Sequence, residues 1–211
     1  MAFLKCNNVK IAGFSSCVPK RVEEISDYSL FRAEEAEKFK NSTGVERRRV
    51  AEEGVTSSDL CYKATKKLLD DLRWQPKDID VLIYVSQTRD YILPSTFCIL
   101  QDRLGLSTNC YTMDIPYGCS GYIYGLSTVA SLLCNGDTKK ALLLSGDAVV
   151  VHHNYEDKSS YPLFGDAGTA TALEFGERSS GFKFHLEQMV LDTMPLLFPK
   201  VVTAIGLQKN I

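Results

Sequence analysis

The chain has 211 residues, of which 45% are hydrophobic and 24% charged. That is the balance of a soluble globular protein long enough to bury a substantial core, and it excludes disordered, collagen-like and coiled-coil chains. Lys and Arg number 24 against 26 Asp and Glu, a net charge of -2, so neither a nucleic-acid footprint nor an acidic solvating tail is indicated.

Met1 to Cys6 is too short an apolar stretch for a signal peptide. Lys10 to Phe14 reads as a short strand and Asp27 to Phe39 as a helix, broken over Asn41 to Gly44. Val45 to Val50 is a basic segment. From Ser57 to Leu72 the apolar residues Leu60, Cys61, Ala64, Leu68, Leu69 and Leu72 share one helical face, with Ser57, Ser58 and Asp59 as N-cap signals. Pro76 to Asp80 is a turn. Val81 to Val85 is a continuous apolar run, as expected of a strand covered on both faces. Pro94 opens a helix that Gly105 stops, and Tyr111 to Ile115 is a strand. Ile115 to Gly136 carries no charge but is interrupted by Pro116 and four glycines, so it predicts a helix over Cys119 to Cys134 buried on all sides, not a membrane span. Ala141 to Ser145 and Thr169 to Phe175 are further strands. Gly181 to Asp192 reads as one or two strands, and Pro195 and Pro199 interrupt the apolar stretch beyond. Strands alternating with helices predict an α/β fold with helices on both faces of a mostly parallel sheet.

Seven cysteines stand at irregular spacing, with no CxxC and no histidine at zinc-finger distance. The pattern predicts reduced thiols in a cytoplasmic protein, with no disulfide framework and no metal site. Cys119 differs in context. In Asp114-Ile-Pro-Tyr-Gly-Cys-Ser-Gly121 a strand ends, the chain turns through Pro and Gly, and the cysteine arrives at the start of a helix. Helix N-termini carry free amide hydrogens and partial positive charge, which favour thiolate over thiol. By residue type alone Cys119 would be one more small core residue; the strand–turn–helix context favours a nucleophile. Gly118 and Gly121 leave room for a substrate, and Gly121 with Gly125 allows close packing of a neighbouring element.

The segment from Asp114 to Leu126 resembles the active-site elbow of the β-ketoacyl-acyl carrier protein synthase III family, in the thiolase superfamily. Three more blocks agree in order: Thr43-Gly-Val-Glu-Arg-Arg48, Pro76-Lys-Asp-Ile-Asp80 with the following strand and Pro94-Ser95, and Leu163-Phe-Gly-Asp-Ala-Gly168. The resemblance covers about residues 10 to 176. It implies the N-terminal half of a thiolase-like layered fold over 1–176, with 177–211 as the start of a second half and the chain itself a fragment. It further implies that Cys119 takes an acyl group from a coenzyme A or carrier-protein thioester, and that the acyl-enzyme condenses with malonyl-carrier protein. The His and Asn that serve the second step belong to the family's second half; His152, His153 and His185 match neither motif.

Substrate contacts are expected from Arg47, Lys158 and Leu93. Lys38 occupies the position at which the best-known members stack a tryptophan on adenine, and Lys158 that of a basic partner residue. These exchanges favour a carrier-protein donor over coenzyme A. Leu93 falls where the family reaches across a homodimer into the partner's acyl pocket. The triple-Arg run at 47–49 also reads as a solvated loop balanced by Glu46, Glu52 and Glu53, and Asp166 as a structural turn residue. No cofactor, membrane or nucleic-acid partner is implied. Two alternatives stand beside condensation: an acyltransferase without decarboxylation, and a non-catalytic dimerisation or chain-length partner.

Overall fold

Residues 2–186 are described by a computed structural model. The chain order is β1 (Ala2–Cys6), β2 (Val9–Cys17), β3 (Arg21–Glu24), α1 (Ala33–Thr43), β4 (Arg47–Val50), α2 (Ser57–Leu72), β5 (Val81–Val85), α3 (Thr96–Leu104), β6 (Tyr111–Ile115), α4 (Gly121–Leu133), β7 (Lys140–Asp147), β8 (Ala167–Phe175) and β9 (Phe182–Leu186). Residues 187–211, with Pro195, Pro199 and the remainder of the strand region expected to Asp192, lie outside the described residues.

Five strands form the central sheet in the order β2-β8-β7-β5-β6. β6 and β7 both run parallel to β5, with Val85 opposite Ile115 on one side and Ser145 on the other. β8 pairs antiparallel with both β7 and β2, so four of the five strands run one way, as a mostly parallel sheet requires, and the reversed β8 makes the sheet mixed. Composition does not encode the difference: a strand covered on both faces is continuously apolar whichever way its neighbour runs.

Alternation along β5 divides the core. Leu82 and Tyr84 face Cys61, Ala64, Leu68 and Leu69 of α2 and Leu100 and Leu104 of α3. Val81, Ile83 and Val85 face Leu126, Val129, Ala130 and Leu133 of α4. The sheet is thus covered by helices on both faces, as expected. Each such leucine or valine, fully buried, contributes about 1.5–3 kcal/mol relative to exposure.

Local signals explain the helix ends. Thr56, one residue before the expected signals, caps α2: its hydroxyl accepts from Asp59 N at 3.3 Å, while the Asp59 carboxylate accepts from Thr56 N at 3.1 Å. Gly44 and Gly105 end α1 and α3 in the left-handed conformation. The helix expected over Asp27 to Phe39 begins later, at Ala33, after a short 3-10 turn at Ile25–Asp27, and continues to Thr43.

Two small sheets flank the core. β1 pairs antiparallel with β9, and β3 with β4. The β3–β4 register sets Glu23 opposite Arg48 and Glu24 opposite Arg47. Arg48 is not part of a solvated loop. Its side chain is 4% exposed and donates to Glu23 Oε2 at 2.7 Å and to the carbonyls of Phe164, at 3.0 Å, and Tyr161. Arg48 also lies over the Tyr161 ring, tying the 155–164 loop to the hairpin.

Candidate active site

The C-terminal ends of β5, β6 and β7 lie side by side, and three loops leave from them. After β6, Tyr117 N donates to Ile115 O at 2.9 Å, which starts the turn. Gly121 N then donates to Gly118 O at 2.7 Å, closing a turn over residues 118–121 that runs into α4. Cys119 is in this turn and exposed, two residues before the first residue of α4. The expected helix start at Cys119 is therefore displaced to Gly121, and the thiol stands outside the helix at its N-terminal entrance.

The glycines have separate reasons. A Cβ on Gly121 would meet Val85 Cγ1 at 2.6 Å, and one on Gly125 would meet Leu143 Cδ1 at 2.6 Å and Val85 Cγ2 at 2.8 Å. Their absence lets α4 settle on β5 and β7. A Cβ on Gly118 would meet Gln87 Cδ, Nε2 and Oε1 at 2.6, 2.6 and 2.7 Å. Those near-equal distances lay the Gln87 carboxamide over Gly118, next to Cys119, so this glycine makes room for a neighbouring amide and not for open space.

Gln87 is held from below. Asp147 Oδ1, at the end of β7, accepts from Gln87 N at 2.8 Å, Thr88 N at 3.0 Å, Thr88 Oγ1 at 3.0 Å and Ser86 Oγ at 2.9 Å. Ser57 of α2 continues the network, with Tyr84 OH at 2.6 Å and its own donation to Thr88 O at 2.9 Å. Burial pushes the Tyr84 hydroxyl well above its ordinary range, so it stays a neutral partner. Asp114, at the end of β6, accepts from Thr96 N at 2.9 Å and Phe97 N at 3.0 Å, joining β6 to the start of α3. Burial raises its pKa, and those two amide donors oppose the rise.

Sequence reasoning missed Gln87 and Asp147. The chain carries no motif for them, because three separate loops bring them together. Asp166 is the structural residue expected: it is 1% exposed, and its carboxylate accepts from Ala51 N at 2.7 Å and Val150 N at 3.1 Å.

The other expected site residues are dispersed. Leu93 is 82% exposed, within an apolar tip with Tyr91 and Ile92 on the loop from β5 to α3. It leaves the same edge of the sheet as Cys119. Arg47 is exposed on β4, and Lys158 is exposed on the loop between β7 and β8, its Nζ 3.0 Å from Glu35 Oε1 of α1. No hydrogen bond or ion pair joins Leu93, Arg47 or Lys158 to Cys119 among the described residues. A cavity of about 330 Å³ lies beside the β3–β4 hairpin, lined by Tyr28, Arg48, Tyr155 and Tyr161 among others; Cys119 is not in its wall. Among the described residues no group of three or more His, Cys, Asp or Glu could hold a metal, and no helix is long and apolar enough to cross a membrane.

α4 is buried on one side only among the described residues. Ile123, Thr128 and Leu132 on its other side are partly exposed, and Ser131 is exposed. The missing charges of this helix therefore do not reflect burial all round within residues 2–186.

A mixed sheet sandwiched between helices, with a cysteine turn at the C-terminal edge of its parallel strands, defines an α/β protein of the thiolase-like class. The model of the 3-oxoacyl-[acyl-carrier-protein] synthase III family matches residues 113–189. The curated β-ketoacyl-[acyl-carrier-protein] synthase III of Clostridium perfringens is 37% identical over 176 residues, 83% of this chain and 54% of that protein. The corresponding protein of Rhodopirellula baltica is 37% identical over 165 residues, 78% of this chain and 47% of its own length. The crystal structure of a 3-oxoacyl-(acyl-carrier protein) synthase from Burkholderia xenovorans superimposes with a TM-score of 0.84 at 40% identity, covering 87% of this chain and 53% of that one. The chain belongs to the β-ketoacyl-[acyl-carrier-protein] synthase III family and spans about half the length of the curated relatives it matches.

Proposed function

We propose that this chain carries the acyl-accepting half of a β-ketoacyl-[acyl-carrier-protein] synthase III reaction, with Cys119 as nucleophile. Cys119 Sγ attacks the thioester carbonyl of an acyl-coenzyme A or acyl-carrier protein. The donor thiol leaves with the proton from Cys119, and an acyl-enzyme remains. In the complete reaction, malonyl-carrier protein loses carbon dioxide and its carbanion displaces the Cys119 thiol, giving a β-ketoacyl thioester. In this reading residues 1–176 carry the cysteine turn, and 177–211 lead into the family's second half.

The observation that carries the proposal is the exposed Cys119 at the C-terminal edge of β5, β6 and β7, where open α/β sheets place their ligands. Leu93, Arg47 and Lys158 are the proposed substrate contacts. Lys38, one turn of α1 after the Glu35 that pairs with Lys158, stands where the resemblance expects a tryptophan stacked on adenine, and this supports a carrier-protein donor.

We further propose a homodimer. β6 is at the edge of the central sheet with its outer hydrogen-bonding groups unpaired by it, and Tyr91, Ile92 and Leu93 stand exposed on the adjacent loop. Leu93 would then line the partner's acyl pocket. Unpaired thiols throughout suit the cytoplasm.

The test is single-turnover acylation of the 211-residue chain. Release of one equivalent of donor thiol per chain, abolished by Cys119→Ala, is expected. Sustained carbon dioxide release from malonyl-carrier protein is not expected from this chain alone, since His153 packs on Phe164, His185 packs on Phe3, and none of the three histidines bonds to Cys119. Turnover at ~1 s⁻¹ or more, ordinary for an enzyme, would instead make a histidine of this chain a working partner of Cys119.

A further inference from the structure

Cys6 ends β1 and is 3% exposed, while Cys134 caps the C-terminal end of α4 and is half-buried. The two sulfurs converge on Ser131. Cys6 Sγ lies 3.6 Å from Ser131 Oγ, and the Cys134 thiol donates to Ser131 O at 3.3 Å. Both thiols thus sit against the same residue, Cys6 within the core cluster on the α4 face of the sheet and Cys134 packed against it. No other cysteine shares this place: Cys61 and Cys110 belong to the core on the opposite face, and Cys119 is at the far end of α4.

We infer that Cys6 and Cys134 form a dithiol oxidation site that a hydroperoxide closes to a disulfide. The more exposed sulfur reacts first. Cys134 Sγ attacks one peroxide oxygen as the O–O bond breaks; the sulfur is oxidised by two electrons to a sulfenic acid, and the other oxygen leaves with the Cys134 thiol proton as water or an alcohol. Cys6 Sγ then attacks Cys134 Sγ, and the sulfenic hydroxyl departs with the Cys6 proton as water. Two thiols and one molecule of hydrogen peroxide thus give one disulfide and two waters. Burial raises the Cys6 pKa and shields that sulfur from the peroxide, so the half-buried Cys134 is the one the peroxide reaches. The bond ties β1, already hydrogen-bonded to β9, to the end of the helix that begins beside Cys119. It closes a long loop and so restricts the unfolded chain.

This site does not depend on the acyl-transfer reading, and its test needs no substrate. The folded chain is treated with a slight excess of hydrogen peroxide, free thiols are blocked with N-ethylmaleimide, and the digest is mapped without reduction. The expected product is a cross-linked peptide pair carrying Cys6 and Cys134, lost on reduction and lost in Cys134→Ser, a half-exposed change that leaves the core intact. Exposed Cys98 and Cys119 are read separately in the same map. Recovery of Cys134 as a blocked thiol, as sulfinic acid beside a free Cys6, or linked to another cysteine would overturn the inference.

Discussion

Cys61 and Cys110 are buried so deeply that the cost of desolvating a thiolate pushes both thiols up to about 12, whereas Cys98 and Cys119 are exposed. At pH 8 the two buried residues remain protonated and shielded. Mapping of iodoacetamide adducts should find Cys119 labelled first and Cys61 and Cys110 unlabelled in the folded protein. Equal, slow labelling of all exposed cysteines would favour a non-catalytic partner role. Glycine substitutions separate packing from positioning at the same site. Gly125→Ala drives a methyl into Leu143 and Val85 in the core and should cost about 1–3 kcal/mol in a denaturant titration. Gly118→Ala meets only the end of the Gln87 side chain, so stability should hardly change while the rate of Cys119 acylation falls.

At the scale of elements, α2 and the β3–β4 hairpin are held by charges as well as apolar contact. Asp59 is partly desolvated, which would raise its pKa, but the Thr56 amide and the Arg103 guanidinium at 2.8 Å outweigh this and hold it below the usual carboxylate range. A carboxylate depressed in the folded state adds stability above its unfolded pKa of about 3.9 and loses it as pH falls through the folded value. Asp59→Asn should therefore lower the unfolding midpoint at pH 7, and the gap from the parent chain should close on acidification below about pH 3.9. Arg48→Ala strips Glu23 and two loop carbonyls of their donor and should cost about 3 kcal/mol. Arg48→Lys should not restore it, because an ammonium lacks the planar fork that serves these acceptors and lies over Tyr161.

The same elements show what the sequence made legible. A continuous apolar run located β5 and a helical apolar pattern located α2, because β5 is buried along its whole length and α2 along one face. β3 escaped: Arg21-Val-Glu-Glu24 has a single apolar residue, and its strand form comes from pairing Glu23 and Glu24 with Arg48 and Arg47 on β4. Strand direction escaped in β8 for want of any local signal. In the site, Cys119 was legible because one contiguous segment supplies strand end, turn and helix. Gln87 and Asp147 were not, since their meeting depends on the register of three parallel strands.

For the whole molecule, the sheet edge at β6, the exposed tip at Tyr91–Leu93 and the half-exposed side of α4 leave apolar and hydrogen-bonding surface uncovered among the described residues. Association of two copies would cover part of it, and sedimentation at micromolar concentration should report a dimer. Leu93→Asp, which sets a charge in the proposed contact, should shift that equilibrium toward monomer without unfolding the chain, because Leu93 buries almost nothing within its own subunit.

The central claim is that Cys119 accepts the acyl group, and it is tested most directly by locating the acyl adduct. The chain is incubated with an acyl-carrier protein thioester, quenched in acid and examined by intact mass and peptide mapping. One acyl group per chain, on the peptide carrying Cys119 and missing in Cys119→Ala, is the predicted result. An adduct that survives that substitution, or an unmodified Cys119 peptide in a chain that stays folded, would contradict it.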